Sequence, residues 1–415
     1  MKKSVVALAV LGAFTGLASA QSSVTLYGRV DANMGSVDPG SEGFAGKGKG
    51  VNKGESVAKM SDGGTSGLGA SRFGMRGVED LGGGLKAYFK LESQISVDTG
   101  ANGGATQTST NSMFNREAYV ALGSTTWGDI RFGRLETLSR EVNRTINDAS
   151  DDNQLTMSEV IDTTSPTVSP AATYRQNRVL FNNFGTRVDN AISYRSPSFM
   201  GIAQMIATYS FGESAAAPTG NSNTAFGSTN TSIVGNIASY TGVGFIVTAG
   251  PLSADMIYEQ LNGNGTGGPA SKTGTIGGNY DLGFAKIYAA YQDGTDVTQA
   301  FGANAMTIFG SGGSTGSVAG ENSGVDLKAS NFGVKVPVGK WTFVAQYTQS
   351  ELSGNNLANS VWDSNEISQV KYGMSAAYAL SKRTTVYGVV IGRSGDQDEY
   401  FNRKNEYNIG LAHTF

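Results

Sequence analysis

Apolar and polar residues alternate along most of the chain. Leu85, Ala87, Phe89, Leu91 and Ile95 fall on one side of an extended segment, and Lys86, Tyr88, Lys90, Glu92 and Gln94 on the other. A period of two is that of a strand. The same pattern sets Val24, Leu26 and Val30 against Thr25, Tyr27, Arg29 and Asp31, and Leu252, Ala254, Met256 and Tyr258 against Ser253, Asp255 and Glu259. It recurs where Ala285, Ile287, Ala289 and Tyr291 oppose Lys286, Tyr288 and Gln292, and where Trp341, Phe343, Ala345 and Tyr347 oppose Thr342, Gln346 and Thr348.

The connections alternate in length. Short turns fall at Glu79 to Gly84, Ser124 to Gly128, Ser196 to Gly201, Gly250-Pro251, Asp281 to Gly283, Pro337 to Lys340 and Leu380 to Arg383. Long ones, rich in Gly, Ser, Thr and Asn, run over 36–68, 96–112, 134–173, 212–230, 260–272, 293–326, 349–367 and 394–404. This count predicts about sixteen strands in one up-and-down antiparallel sheet that closes on itself and so has no edge. A soluble sandwich would hide its apolar face; a barrel in lipid turns that face outward, lines a lumen with polar groups, and carries short periplasmic turns and long outer loops. Met1-Lys2-Lys3, the apolar run Val5 to Leu17 and the small-x-small site Ala18-Ser19-Ala20 predict a removed signal peptide over 1–20, since the run is too short to span lipid as an anchor. Residues 21–415 are then a single barrel, and the export signal favours the lipid-facing alternative.

Composition removes most other chemistry. The 415 residues include 58 glycines, one histidine (His413) and no cysteine. Thiol nucleophiles, disulfide frameworks and zinc clusters are excluded, and triads or His-based relays have no imidazole except near the C-terminus. No enzyme, no metal and no cofactor is expected. A formal net charge of −3 makes nucleic acid an unfavoured partner. Gly82-Gly83-Gly84-Leu85-Lys86 lacks the GKS/T arrangement and following helix of a phosphate loop and reads as a hairpin turn. The Asp148 to Asp152 cluster does not match an EF-hand loop, so calcium is left open.

The C-terminal residues Tyr407, Ile409, Leu411, His413 and Phe415 occupy alternate positions and end on Phe, which resembles the signature read by the assembly machinery of bacterial outer-membrane barrels. Other segments carry a more specific likeness: Ser22 to Asp31, Ser71-Arg72-Phe73-Gly74-Met75-Arg76-Gly77 continuing to Ala87, Phe114-Asn115-Arg116-Glu117-Ala118-Tyr119-Val120 and Trp127 to Arg134. With Tyr194 to Phe199, Tyr280 to Lys286, Ser381 to Gly388 and Tyr407 to Leu411, they make the chain resemble the general diffusion porins of beta-proteobacteria and neisseriae over its whole mature length.

The resemblance implies a sixteen-stranded outer-membrane barrel, a homotrimer, with a third long loop folded into the lumen. Here that loop is 134–173, and its acids Glu136, Glu141, Asp148, Asp151 and Asp152 are expected on one side of an eyelet. The resemblance places constriction arginines at Arg72, Arg116 and Arg187, with Arg175 or Arg178 as alternatives for the last. Alternation directs Arg29, Arg72, Arg76, Lys86, Lys90, Arg116 and Arg131 to the lumen. It leaves Glu117 facing outward, beside lipid or a neighbouring subunit.

The expected function is passive diffusion of ions and small hydrophilic solutes through a water-filled pore, with weak to moderate anion preference because guanidiniums stay charged. Expected partners are two further copies, outer-membrane lipid and lipopolysaccharide, the barrel-assembly machinery through Phe415, and small anions. The alternatives are a channel specific for sugars or aromatic or organic acids, suggested by Tyr27, Tyr88 and Tyr288 in the lumen, and a secreted β-rich adhesin.

Overall fold

A computed structural model of the chain describes residues 23–38, 56–64, 67–101, 113–150, 155, 186–211, 239–262, 270–297, 326–353, 366–395 and 404–415. The signal segment 1–20 lies outside them, as do Asp151, Asp152, Arg175, Arg178 and most of 134–173 beyond Ser150. Among the described residues seventeen strands form one sheet. They are β1 (Ser23–Asp38), β2 (Val57–Asp62), β3 (Arg72–Gly82), β4 (Leu85–Gln94), β5 (Glu117–Ser124), β6 (Gly128–Glu136), β7 (Arg187–Arg195), β8 (Ala203–Ser210) and β9 (Tyr240–Ala249). Then follow β10 (Leu252–Leu261), β11 (Ser271–Asp281), β12 (Lys286–Thr295), β13 (Asp326–Val338), β14 (Trp341–Ser353), β15 (Glu366–Ala379), β16 (Thr384–Gly395) and β17 (Asn405–Thr414).

Seventeen strands fill sixteen wall positions, because β2 and β3 are two pieces of one. β1 pairs with β3 from Ser23↔Val78 to Arg29↔Arg72 and with β2 from Ala32↔Asp62 to Val37↔Val57. The barrel closes through β1 and β17, antiparallel from Arg29↔Thr414 to Asp38↔Asn405. The sequence pattern misses β2 and folds it into the connection 36–68. Six residues followed by Gly63-Gly64 are too short to show a period.

Alternation places side chains as expected for a sheet with lipid outside. Leu26, Met34, Val120, Phe245, Met256, Ile276, Phe332, Met374, Ile409 and Leu411 are exposed on the outer face, and Asp31, Asn33, Glu92, Asp255, Glu259, Gln292, Asn331 and Glu406 are buried within. Aromatic residues gather near the rims: Trp341 stacks on Phe343 at 5.8 Å and meets Tyr378 at 4.9 Å by the short turns, and Tyr209 meets Phe211 edge-on at 5.0 Å by a long connection. Such belts sit at the two lipid–water interfaces.

An outer-face charge is therefore expensive. Ile276→Arg, at the middle of β11, should cost about 2–4 kcal/mol of folding stability, and Ile276→Leu little. Urea titration in phospholipid bilayers checks this, and equal stability of the two variants would contradict the lipid-facing assignment.

Candidate functional site

The inner wall of β1, β3, β4 and β5 carries its charges in rows, because directly paired antiparallel residues share a face. One row is Arg29, Arg72 and Gln94; the next is Tyr27, Gly74, Glu92 and Glu117; the third is Thr25, Arg76, Lys90 and Tyr119. Glu92 is the hub. It accepts from the Tyr27 hydroxyl at 2.9 Å and Arg116 Nε at 2.5 Å, and Lys90 Nζ lies 3.6 Å away. Tyr27 reaches it by crossing Gly74, where an added Cβ would come within 2.6 Å of the Tyr27 oxygen. The Ser-Arg-Phe-Gly motif thus has a structural reason. Ser71 fastens to the Asp31 backbone, accepting from its N–H at 2.9 Å and donating to its carbonyl at 3.1 Å. Arg72 joins the basic row, and Gly74 clears the way for Tyr27.

One expectation is corrected. Glu117 does not face outward: it pairs with Glu92 across the ladder, is buried, and binds Lys90. Arg116 precedes β5, in a bend rather than an extended residue, so it and Glu117 both turn inward.

Arg187 is buried near the top of β7. A bulge puts it there: between the pairs Gly133↔Ala191 and Leu135↔Val188, β7 has one residue more than β6, and Asn190 takes it up at φ 52°. Arg187 lies 3.3 Å from Glu136, which also meets Arg144 at 3.2 Å and Arg140 at 3.9 Å. Arg131 stands in the lumen 3.3 Å from Glu141, and Arg195, not singled out by sequence, reaches the same carboxylate at 2.6 Å. Arg29 pairs with Asp31 at 3.1 Å. Lys86 lies away from these clusters, beside a short turn, 3.8 Å from Asp129. Arg76 is exposed to the lumen; among the described residues no carboxylate pairs with it, and its guanidinium lies 5.3 Å over the Tyr27 ring.

The expected acidic lining also changes. Glu136 and Glu141 are occupied by arginines, and Asp148 is buried, accepting from the N–H and hydroxyl of Ser150 at 2.8 and 2.7 Å. None of these three stands as an open carboxylate opposite the basic wall.

After β6 the chain turns into the lumen as α1 (Leu138–Val142) and a π-helical turn over Asn143–Asn147. Its apolar side, Leu138, Val142 and Ile146, packs on Ile206 and Ile257 of the inner wall. Polar groups pin it as well. Glu259 accepts from the Ser139 N–H at 2.9 Å and the Tyr240 hydroxyl at 2.5 Å, while the Leu138 N–H donates to Tyr240 at 2.8 Å. Asn279 and Asn331 donate to the carbonyls of Ile146 and Asn147 at 2.7 and 3.1 Å.

The segment rests on a track of inward-facing glycines. A Cβ at Gly242 would meet Leu138 at 3.2 Å, at Gly333 Ala149 at 2.8 Å, and at Gly373 Leu155 at 3.1 Å; at Gly277 it would strike Asn147. Sequence reading missed these four, although glycine at an inward strand position signals a close neighbour. At the C-terminus Tyr407, Ile409, Leu411 and Phe415 are exposed on the outer face, and His413, in the same phase, lies 3.0 Å from the Thr384 hydroxyl.

Comparison with known proteins agrees with this architecture. A family model described as Gram-negative porin matches residues 7–397. Outer membrane porin protein 32 of Delftia acidovorans is 30% identical over 94% of this chain and 88% of its own length. An outer membrane porin protein of Bordetella pertussis is 28% identical over 93% of each. Among solved structures, an anion-selective porin from Comamonas acidovorans superposes with a TM-score of 0.62 at 23% identity, over 95% of this chain and all of that one.

Glu259 holds the start of the lumen segment by a single carboxylate oxygen. Glu259→Ala should weaken that seat by about 1–3 kcal/mol, enlarging the unseated population roughly 5- to 150-fold. Glu259→Gln keeps an acceptor and should stay close to the parent. Open-channel current noise reads the difference, and a silent Glu259→Ala would mean that the seat lies elsewhere.

Proposed function

The chain belongs to the Gram-negative porin family and is an outer-membrane porin, and from that premise we propose that it is a homotrimeric diffusion pore preferring small anions and hydrophilic solutes. The observation carrying the preference is the imbalance inside the barrel. Among the described residues a single carboxylate, Glu141, serves both Arg131 and Arg195, and Arg76 stands open to the lumen over Tyr27 with no carboxylate pairing with it. Fixed guanidiniums beside a narrow water path raise the local anion concentration. The Comamonas acidovorans porin, which shares the fold, is an anion-selective one. Transport on this reading is passive, limited by the lumen segment.

Export by a cleaved segment 1–20, constriction by 134–173, contact with lipopolysaccharide and recognition of Phe415 by the assembly machinery complete the proposal. Trimerisation is carried over from the family likeness. A second reading, a channel favouring organic acids, is supported by the cation–ring pairs running down one wall: Arg76 over Tyr27 at 5.3 Å, Arg131 over Tyr119 at 5.9 Å and Lys86 over Tyr88 at 5.1 Å.

Planar-bilayer recordings in a KCl gradient test the main reading. Openings in groups of three with an anion-shifted reversal potential are expected, and Arg76→Glu should lower the chloride-to-potassium permeability ratio about 2-fold or more. Cation preference of the parent protein would overturn the charge argument. Saturable block of the KCl current by aromatic carboxylates would move the second reading ahead.

A further inference from the structure

The two pieces β2 and β3 occupy one wall position, so the chain that joins them leaves the wall and must go somewhere. Its described residues, Gly63, Gly64 and 67–71, lie inside. Gly63 N–H donates to the Asp31 carbonyl at 2.7 Å, Asp62 accepts from the N–H groups of Gly64 at 2.9 Å and Ser71 at 3.2 Å, and Gly67 N–H returns to the Gly63 carbonyl at 3.2 Å. Asp31 is itself held by the Tyr387 hydroxyl at 2.6 Å, across β17. Gly67 lies against that hydroxyl: a Cβ there would stand 2.7 Å from it and 2.7 Å from the Gly63 carbonyl. Asp31, Asn33 and Tyr387 all face inward, so this excursion sits on the inner wall of β1, β16 and β17, next to the Arg29–Arg72 row.

Leu68, within the excursion, packs against one buried cluster made of Tyr288, Val344, Tyr387, Val389, Ile391 and Ala412 of the wall together with Ala149 and Leu155 of the lumen segment. Two separate parts of the chain therefore leave the wall, and both end in one apolar cluster. We propose that the excursion between β2 and β3 is a second aperture-setting element, with Leu68 the positioning residue that clasps the far end of the lumen segment. The start of the lumen segment is held by Glu259 and its course by the glycine track, and Leu68 adds apolar packing on the cluster that holds Ala149 and Leu155. This deepens the pore reading and rests on it for its conductance readout only.

The test uses the full-length protein, its fold checked by heat-modifiable gel mobility, with Leu68→Ala, Leu68→Met and Tyr387→Phe. Leu68→Ala should raise single-channel conductance about 1.5-fold and admit larger polyethylene glycols. It should also speed amide exchange at Ala149 and Leu155, without moving exchange in the β9–β10 strands. Leu68→Met should restore parent behaviour, and Tyr387→Phe, which removes the hydroxyl bonded to Asp31 while keeping the ring, should reproduce the change in milder form. Parent-like exchange and conductance in folded Leu68→Ala would overturn the clasp. If the parent protein did not conduct, the pore reading would fall while the exchange arm still decided the clasp.

Discussion

Lipid cannot accept or donate a hydrogen bond, and the rest of this structure follows from that. A backbone group left unpaired in hydrocarbon costs several kcal/mol, so a sheet that crosses the bilayer has to close. Closure between β1 and β17 satisfies the last open edges, and it also encloses a volume that sixteen strands make too wide for side chains alone to fill. The inside must then be partitioned between water and protein. The chain does this with excursions of its own backbone, which bring their own hydrogen-bond demands into the lumen. Those demands are met by wall residues: Glu259 and Tyr240 for the N–H groups that open α1, Asn279 and Asn331 for the carbonyls that end the π-helical turn. Polar residues on the inner face are thus partly pore lining and partly partners for buried backbone.

Packing obeys the same division. Where the lumen segment lies against the wall, side chains on both surfaces would collide, and the wall yields with Gly242, Gly277, Gly333 and Gly373 on alternate strands from β9 to β15. Glycine in a strand weakens it through backbone entropy. That cost is tolerable in a wall held by ladders on both sides, and it lets a backbone approach closely enough for the asparagine bonds to form. Apolar residues facing inward, such as Ile206 and Ile257, make sense only with Leu138, Val142 and Ile146 seated on them. A lumen of open water would leave them wet.

How much of this was legible depends on whether a feature is local. The strand faces are local, since lipid outside imposes one rule on every strand, and the sixteen positions follow from the alternation of short and long connections. The C-terminal phase, with Ile409 and Leu411 outside, is equally direct. Glu117 was misplaced because alternation presumes an extended backbone, and the bend at Arg116 resets the phase by one residue. The broken strand was invisible because β2 is recognised only by its pairing with β1, a contact between residues well separated along the chain. The fate of the loop acids was not legible at all. Which guanidiniums reach Glu136 is set by the bulge at Asn190 and by the first turns of the lumen segment, and neither shows in the spacing of charges.

Charge in this barrel is best understood through position rather than sum. The chain is net acidic, at −3, yet its inner wall sets Arg29 directly opposite Arg72 and Arg76 opposite Lys90, pairings that are unfavourable on a sheet face. Carboxylates hold them: Glu92 and Glu117, between the two basic rows, on Arg116 and Lys90, and Asp31, beyond the first row, on Arg29. Glu141, shared by Arg131 and Arg195 among the described residues, cannot cancel both and fixes their side chains in place instead. Acidic residues on distant outer loops act through salt water and fade within roughly 8 Å at physiological ionic strength. On the proposed reading, the guanidiniums act on an ion passing close to them in the lumen, where the same charge counts for more than it does across bulk salt water. An acidic protein can in this way enclose a path of the proposed anion preference, with the acids inside it holding neighbouring arginines in place.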